Sequence, residues 1–378
     1  MAATKQAAKI AGYPSDWFLN LMTTISIHRK DTILKGERLP AEWEAQSGVL
    51  LTWPHAFGDW AAHLLAADQT FAQIACAIAR REKVLIAAHD DAHKAHILGV
   101  LKDQGARLSQ IRVVIAASDD VFVRDHGPIT VEISGGPVLL DFAFNGWGRK
   151  YPFAQDDAVT RTLQAEGAFG RTPLSTIDFV LEGGSIESDG QGTLLVTASC
   201  LLSPSRNPKL SAVDIEATLK ERLGVERVLW LHHGYLAGDD TDGHIDTLAR
   251  FCDPETIAYC ACPSPEDEHY QELKAMEDEL RLLTTKAGKP YRLIALPWPA
   301  AKLSQDGERM PATYANFLII NGAVLVPLYD DRHDARALAL LAHGFPDRDI
   351  IGIPCLTLIA QHGSLHCATM QLPEGVLL

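Results

Sequence analysis

Close to its C-terminal end the sequence reads Gln361-His362-Gly363-Ser364-Leu365-His366-Cys367-Ala368-Thr369-Met370-Gln371, which sets a cysteine in a polar turn after a strand-like run. A thiol outside an apolar run suits a nucleophile, with a packed thiol as the alternative. Further upstream, Gly238-Asp239-Asp240-Thr241-Asp242-Gly243-His244-Ile245-Asp246 joins a histidine to several carboxylates. If Gly243 to Asp246 is extended, His244 and Asp246 project from one face, as proton transfer beside a bound cation would need. Leu181-Glu182-Gly183-Gly184-Ser185-Ile186-Glu187 ends a strand in a carboxylate followed by two glycines. Asp119-Asp120-Val121-Phe122-Val123-Arg124-Asp125-His126-Gly127-Pro128 crowds acids, an arginine and a histidine together. Such groups are expensive to bury unless paired with one another or with a charged ligand. Asp141-Phe142-Ala143-Phe144-Asn145-Gly146-Trp147-Gly148 places aromatics beside glycines, as either a pocket wall or a core strand running into a turn would.

A thiol hydrolase needs one cysteine, one histidine, one orienting group and donors for an oxyanion. Surplus carboxylates would repel that oxyanion. They make sense where the electrophile is itself positive, and a planar guanidinium matches carboxylates in bidentate geometry. A different reading makes Asp239, Asp242, His244 and Asp246 ligands of a metal-dependent hydrolase, with Cys367 incidental. Against it, the glycines do not fit an EF-hand loop and no paired-cysteine or His-x-x-x-His spacing lies nearby.

These motifs must be held by a large framework. The chain has 378 residues, 47% of them hydrophobic, enough for a sizeable core. Strand-like runs fall at Gly48–Trp53, Lys83–Ala88, Ile111–Ala116, Val138–Phe142, Thr193–Thr197 and Arg227–Leu231. They continue at Thr256–Cys260, Arg292–Leu296, Phe317–Ile320, Ala323–Pro327 and Ile350–Ile353. Asn321-Gly322 between two apolar runs predicts a hairpin. Helical patterns interleave: Trp60–Arg81, a capping box at Ser211–Asp214 opening a helix that stops at Gly224, a helix from Ser264 to about Lys286, and Asp334–His343. The alternation predicts one α/β domain over residues 39–378, preceded by an N-terminal extension, residues 1–38, of different character. No internal repeat is evident.

The net charge of −14 argues against nucleic acid and anionic membranes as partners and fits a small cationic substrate. No apolar run reaches membrane-spanning length. Seven scattered cysteines without a framework predict free thiols and a cytoplasmic setting. Neither a G-x-G-x-x-G nor a P-loop is present, so no nucleotide cofactor is expected. Homo-oligomerisation is left open.

Taken in order, these motifs, together with Pro40-Ala41-Glu42-Trp43-Glu44, Thr52-Trp53-Pro54-His55 and Asn207-Pro208, resemble the agmatine deiminase and bacterial peptidylarginine-deiminase-type family of guanidine-modifying enzymes. The resemblance runs from about Leu39 to the C-terminus. It implies a pentein-type five-bladed α/β propeller, with ββαβ units in a pseudo-five-fold arrangement around a central site. It also implies Cys367 as nucleophile, His244 as acid and base, Asp125 and Asp246 as guanidinium-binding carboxylates, and Glu182 as the imidazole's partner. Phe122 stands where family members often carry tryptophan. With Trp147 it is expected to line the substrate. The implied reaction is hydrolysis of agmatine to N-carbamoylputrescine and ammonia through an amidino-cysteine intermediate, without metal or organic cofactor. Peptidylarginine or free arginine is the alternative substrate, and a protein that binds without turnover is a further reading.

Overall fold

The computed structural model describes residues 36–377. The N-terminal extension expected over residues 1–38 lies almost wholly outside the described residues. In chain order the strands are β1 (Gln46–Thr52), β2 (Lys83–Ala88), β3 (Ile111–Ile115), β4 (Ile129–Ile133), β5 (Gly136–Ala143), β6 (Leu174–Val180), β7 (Ile186–Ser188), β8 (Thr193–Thr197) and β9 (Arg227–Leu231). They continue as β10 (Ala249–Asp253), β11 (Thr256–Cys260), β12 (Arg292–Leu296), a two-stranded hairpin β13 (Lys302–Leu303) with β14 (Arg309–Met310), then β15 (Leu318–Ile320), β16 (Ala323–Leu328), β17 (Asp349–Pro354) and β18 (Met370–Pro373).

Apart from that hairpin, the strands form five sheets built to one plan. A middle strand pairs antiparallel on one side and parallel on the other. The sets are β4-β5-β6, β7-β8-β9, β10-β11-β12 and β15-β16-β17, together with β18-β1-β2, which β3 extends. In each, the parallel step crosses over through a helix: Leu64–Ala79, Asp156–Ala165, Ala212–Leu223, Tyr270–Leu282 or Asp334–Gly344. Middle strands buried on both faces read as continuous apolar runs, which is why β8 and β11 were legible residue for residue. The first sheet joins the two ends of the described chain, since β18 lies antiparallel to β1.

Local signals behave as their chemistry requires. Ser211 and Asp214 complete a capping box, and Gly224 ends that helix in the left-handed region at φ 65°. Asn321-Gly322 closes the β15–β16 hairpin with Ile320 opposite Ala323. Two expectations are corrected. The helix predicted from Ser264 begins only at Tyr270, because Ser264 to Asp267 closes a turn of its own. The segment Gly243 to Asp246 is not extended: Ile245–Thr247 is a 3-10 turn, with His244 at its N-cap. All seven cysteines are free thiols. Among the described residues no helix is long and apolar enough to cross a membrane.

Candidate active site

Each sheet delivers polar groups from the segment immediately ahead of its antiparallel edge strand. Asp125 precedes β4, Glu182 precedes β7, Asp246 precedes β10, Asn316 precedes β15 and Cys367 precedes β18. The same structural position, used five times, brings residues far apart in sequence to one place. Gly184 marks that place. A Cβ there would lie 2.6 Å from His244 Nδ1, 2.8 Å from Asp125 Oδ1 and 3.1 Å from Asp246 Oδ2. Glycine is therefore demanded by three functional groups crowding its backbone.

Cys367 is buried, not set in an exposed polar loop, and packs beside Leu365 and Ala368. Its Sγ lies 3.5 Å from Asn316 Oδ1 and 3.8 Å from Asp246 Oδ2. Asn316 anchors this turn by accepting from His366 N at 2.9 Å, while its amide donates to Asp246 O at 3.3 Å. The Arg124 N–H donates to Cys367 O at 3.0 Å, which ties the Asp125 turn to the thiol. Burial pushes the Cys367 thiol well above its ordinary value, and the charges of Asp246 and Asp125 add to it.

Asp125 accepts from Gly184 N at 3.0 Å and from Trp147 Nε1 at 2.9 Å. Burial raises it to about 6, against the opposing pull of His244. Asp246 is fully buried, with Oδ2 held by His366 and Oδ1 without a partner. Burial would push it up, but His366, His244 and Arg250 hold it below the ordinary carboxylate range. His244 Nδ1 stands 3.5 Å from Asp125 Oδ1, and neither ring nitrogen has a well-formed hydrogen bond. Burial opposes the imidazolium, yet Asp125, Cys200 and Glu182 outweigh it and hold His244 well above its ordinary value.

Glu182, expected beside the imidazole, accepts from Arg206 Nε at 2.9 Å with both oxygens. Its carboxylate, the Cys200 thiol and His244 lie within 4.8 Å of one another. Among the described residues that trio is the only group with metal-compatible convergence. The ligand set weighed from sequence does not converge. Asp239 is spent on Thr241 and Gly243, and Asp242 on Lys150 and Arg206.

A cavity opens above the thiol between aromatic walls. Trp147 adopts φ 52°, capped by Asn145 Oδ1 accepting from Gly148 N, and meets Phe122 edge-on at 6.4 Å. The Phe122 ring rests on Gly363, where any Cβ would strike it at 2.3 Å. Both aromatics assigned from sequence thus line the cavity with Asp125 and Cys367. Asp59, Asp120, Asp239 and Asp240 also line it, Asp240 bonded to the Tyr151 hydroxyl. No lysine or arginine is among the described residues lining it. Asn316, Cys200 and Arg206 escaped the sequence reading, since each lies outside the acidic motifs. His366 and Glu42 were inside quoted motifs but had no role.

The family model for Porphyromonas-type peptidyl-arginine deiminases matches residues 38–373. The agmatine deiminase of Pseudomonas aeruginosa (strain LESB58) is 35% identical over 364 residues, covering 89% of this chain and 96% of its own. A substrate-bound C. jejuni agmatine deiminase structure is 36% identical, with TM-score 0.83 over 90% of this chain and 97% of that one. A Porphyromonas gingivalis structure designated an arginine deiminase is 49% identical, with TM-score 0.85 over 90% and 99%. This mixed α/β chain, with an imidazole and two carboxylates gathered around Gly184 and a thiol beside Asp246, belongs to the Porphyromonas-type peptidyl-arginine deiminase family.

Proposed function

We propose that the protein is an agmatine deiminase, hydrolysing agmatine to N-carbamoylputrescine and ammonia. The guanidinium docks between Asp125 and the free Oδ1 of Asp246, with its central carbon facing Cys367 Sγ. As the cation settles, the thiol loses its proton to solvent. Sulfur adds to the carbon, His244 as imidazolium protonates one amino nitrogen, and the C–N bond breaks to release ammonia. The amidino group remains on sulfur as a cation. Neutral His244 then takes a proton from water as the hydroxide adds to the same carbon. Collapse breaks the C–S bond, and loss of the hydroxyl proton leaves the ureido product and regenerates the thiolate. Glu182 holds Arg206 in this scheme and supports the imidazolium through its charge.

The observation that carries the substrate assignment is the cavity's wall. Carboxylates in its lining, with no lysine or arginine among the lining residues, suit agmatine's terminal ammonium better than an α-carboxylate. The substrate-bound C. jejuni relative supports the same assignment, whereas the designation of the P. gingivalis structure favours free arginine as second reading. Ammonia and ureido assays run in parallel on agmatine, free arginine and a blocked arginine peptide decide between them. Agmatine is expected to have the highest kcat/KM, and preference for either of the others overturns the assignment.

The five sheets of one plan, each contributing to one site, support a five-bladed pentein-type propeller with a single catalytic domain over residues 39–378. The substrate is a small cationic guanidine. Free buried thiols fit a cytoplasmic setting.

A further inference from the structure

A buried chain of charged groups leads from Asp246 to residues that take no part in lining the substrate cavity. His366 Nδ1 lies 2.7 Å from Asp246 Oδ2, and His366 Nε2 lies 2.7 Å from Glu42 Oε2. Glu42 is fixed in turn: its Oε2 accepts from Arg250 Nη2 at 2.9 Å and its Oε1 from Ile319 N at 2.7 Å. Arg250 donates to Glu187 at 2.6 Å and to Phe317 O at 2.6 Å. Every member of the chain is buried. The inner wall of a second cavity is formed by Glu42, Arg124, Glu187 and His366.

An ionised carboxylate only accepts, so a short contact to an imidazole nitrogen requires an N–H there. Asp246 and Glu42 are both held below the ordinary carboxylate range, so His366 donates from Nδ1–H to Asp246 Oδ2 and from Nε2–H to Glu42 Oε2. It is then an imidazolium between two carboxylates, its charge opposed by burial, Arg124 and Arg250. The Nδ1 contact holds Oδ2, which also lies 3.8 Å from Cys367 Sγ, and leaves Oδ1 as the carboxylate oxygen without a partner. A carboxylate with both oxygens free rotates about its terminal torsion, a broad and shallow one. A carboxylate clamped through one oxygen does not.

Resting on the agmatine deiminase reading, we propose that His366 is a positioning residue, whose Nδ1–H, braced from behind by Glu42 and Arg250, orients Asp246 for the guanidinium. The bracing is long-range: Glu42 comes from the segment ahead of β1, and Glu187, which holds Arg250, comes from β7, so the Asp246 rotamer depends on two further sheets.

Two substitutions separate orientation from packing. In His366→Asn the side-chain amide replaces the Nδ1 donor to Asp246, while in His366→Gln it replaces Nε2 and keeps only the Glu42 contact. The expected result is a KM for agmatine within about threefold of wild type for His366→Asn, and raised at least about tenfold for His366→Gln, the size of one hydrogen bond to a charged group. Equal KM values in the two folded variants overturn the proposal. A second measurement needs no variant. In wild-type protein labelled with 15N-histidine, His366 Nδ1 is expected to show a protonated-nitrogen shift, and a bare Nδ1 overturns the proposal even if neither substitution folds. Wild-type turnover of agmatine, measured alongside, tests the activity separately, since the nitrogen shift is read whether or not agmatine is a substrate.

Discussion

The resting thiol should be uncharged, and its reaction with iodoacetamide should reveal this. Cys367 Sγ lies 3.8 Å from Asp246 Oδ2, and burial, Asp246 and Asp125 all disfavour the thiolate. One unit charge at that distance in an effective dielectric near 20 opposes the thiolate by about 4 kcal/mol. Because the folded-state value is raised, the thiolate is scarce at neutral pH and grows as pH climbs past the ordinary thiol value of about 8.5. The uncharged reagent iodoacetamide should therefore inactivate the free enzyme slowly near pH 7, with a rate rising through an apparent pKa above that of free cysteine. Asp246→Asn removes one of the opposing charges and should bring this apparent pKa down. A plateau already reached at pH 6 in the wild type, and absent from Cys367→Ala, would demonstrate a preformed thiolate and refute the reasoning.

Cys367→Ala should abolish turnover with a stability change of about 1 kcal/mol, because only a small side chain is lost; residual activity within about tenfold, measured by ammonia release, would remove the thiol from the mechanism. Asp125→Asn and Asp246→Asn should each lose at least about 2 kcal/mol from kcat/KM, and as much for a minimal guanidine as for agmatine, since both carry the group being held; losses confined to long substrates would assign these residues to the tail. In the proposed scheme Asp125 binds the guanidinium as a carboxylate, and it is raised to about 6, so kcat/KM should fall as pH drops through about 6. Its preference for the proton contributes stability fully below an unfolded value near 3.9, lost as pH rises through about 6; a denaturation series in which Asp125→Asn has the same pH slope as wild type would contradict this. Gly184→Ala, which drives a methyl to 2.6 Å from His244 Nδ1, should lower kcat at least about a hundredfold through misplacement of the imidazole and Asp125; wild-type kcat in that variant would remove Gly184 from the site's design.

The legible parts of the chain were those whose physics is local. Buried middle strands such as Thr193–Thr197 and Thr256–Cys260 show continuous apolar runs, and the Ser211 capping box and the Asn321-Gly322 turn announce themselves within four residues. The overlooked strands β4, β7, β10 and β18 are edge strands adjoining the site, where propensity is overridden by long-range pairing. In β7 and β10, Glu187 and Arg250 look like surface residues, yet they are buried against each other across 63 positions of sequence. His244 and Asp246 were identified by residue type, although the reason offered for their convergence was mistaken. They share a 3-10 turn and not a strand face, and no short-range pattern distinguishes those two geometries. Asn316 had no signal at all, because its importance comes from lying ahead of β15, at the same place in its sheet that Asp125, Asp246 and Cys367 hold in theirs.

That shared position also explains how so many like charges tolerate burial together. Asp125 and Asp246 approach the same point beside Gly184, and neither could be held there by hydrophobic packing alone. Each has a separate means of support. Asp125 takes a backbone N–H and an indole N–H, whereas Asp246 is held through His366 to a pair of arginine-anchored glutamates. His244 supplies a positive charge close to both, and its raised proton affinity comes from Asp125, Cys200 and Glu182 around it. The resting site is thus partly compensated but still short of cations, with one oxygen of Asp246 unpaired and the thiol kept neutral. A bound guanidinium corrects both deficits at once, pairing the free oxygen and lowering the cost of the thiolate. A neutral amide or ester corrects neither, and would develop its negative charge against two carboxylates. Selection of a cationic electrophile therefore follows from the same arrangement that restrains the nucleophile until such an electrophile is present.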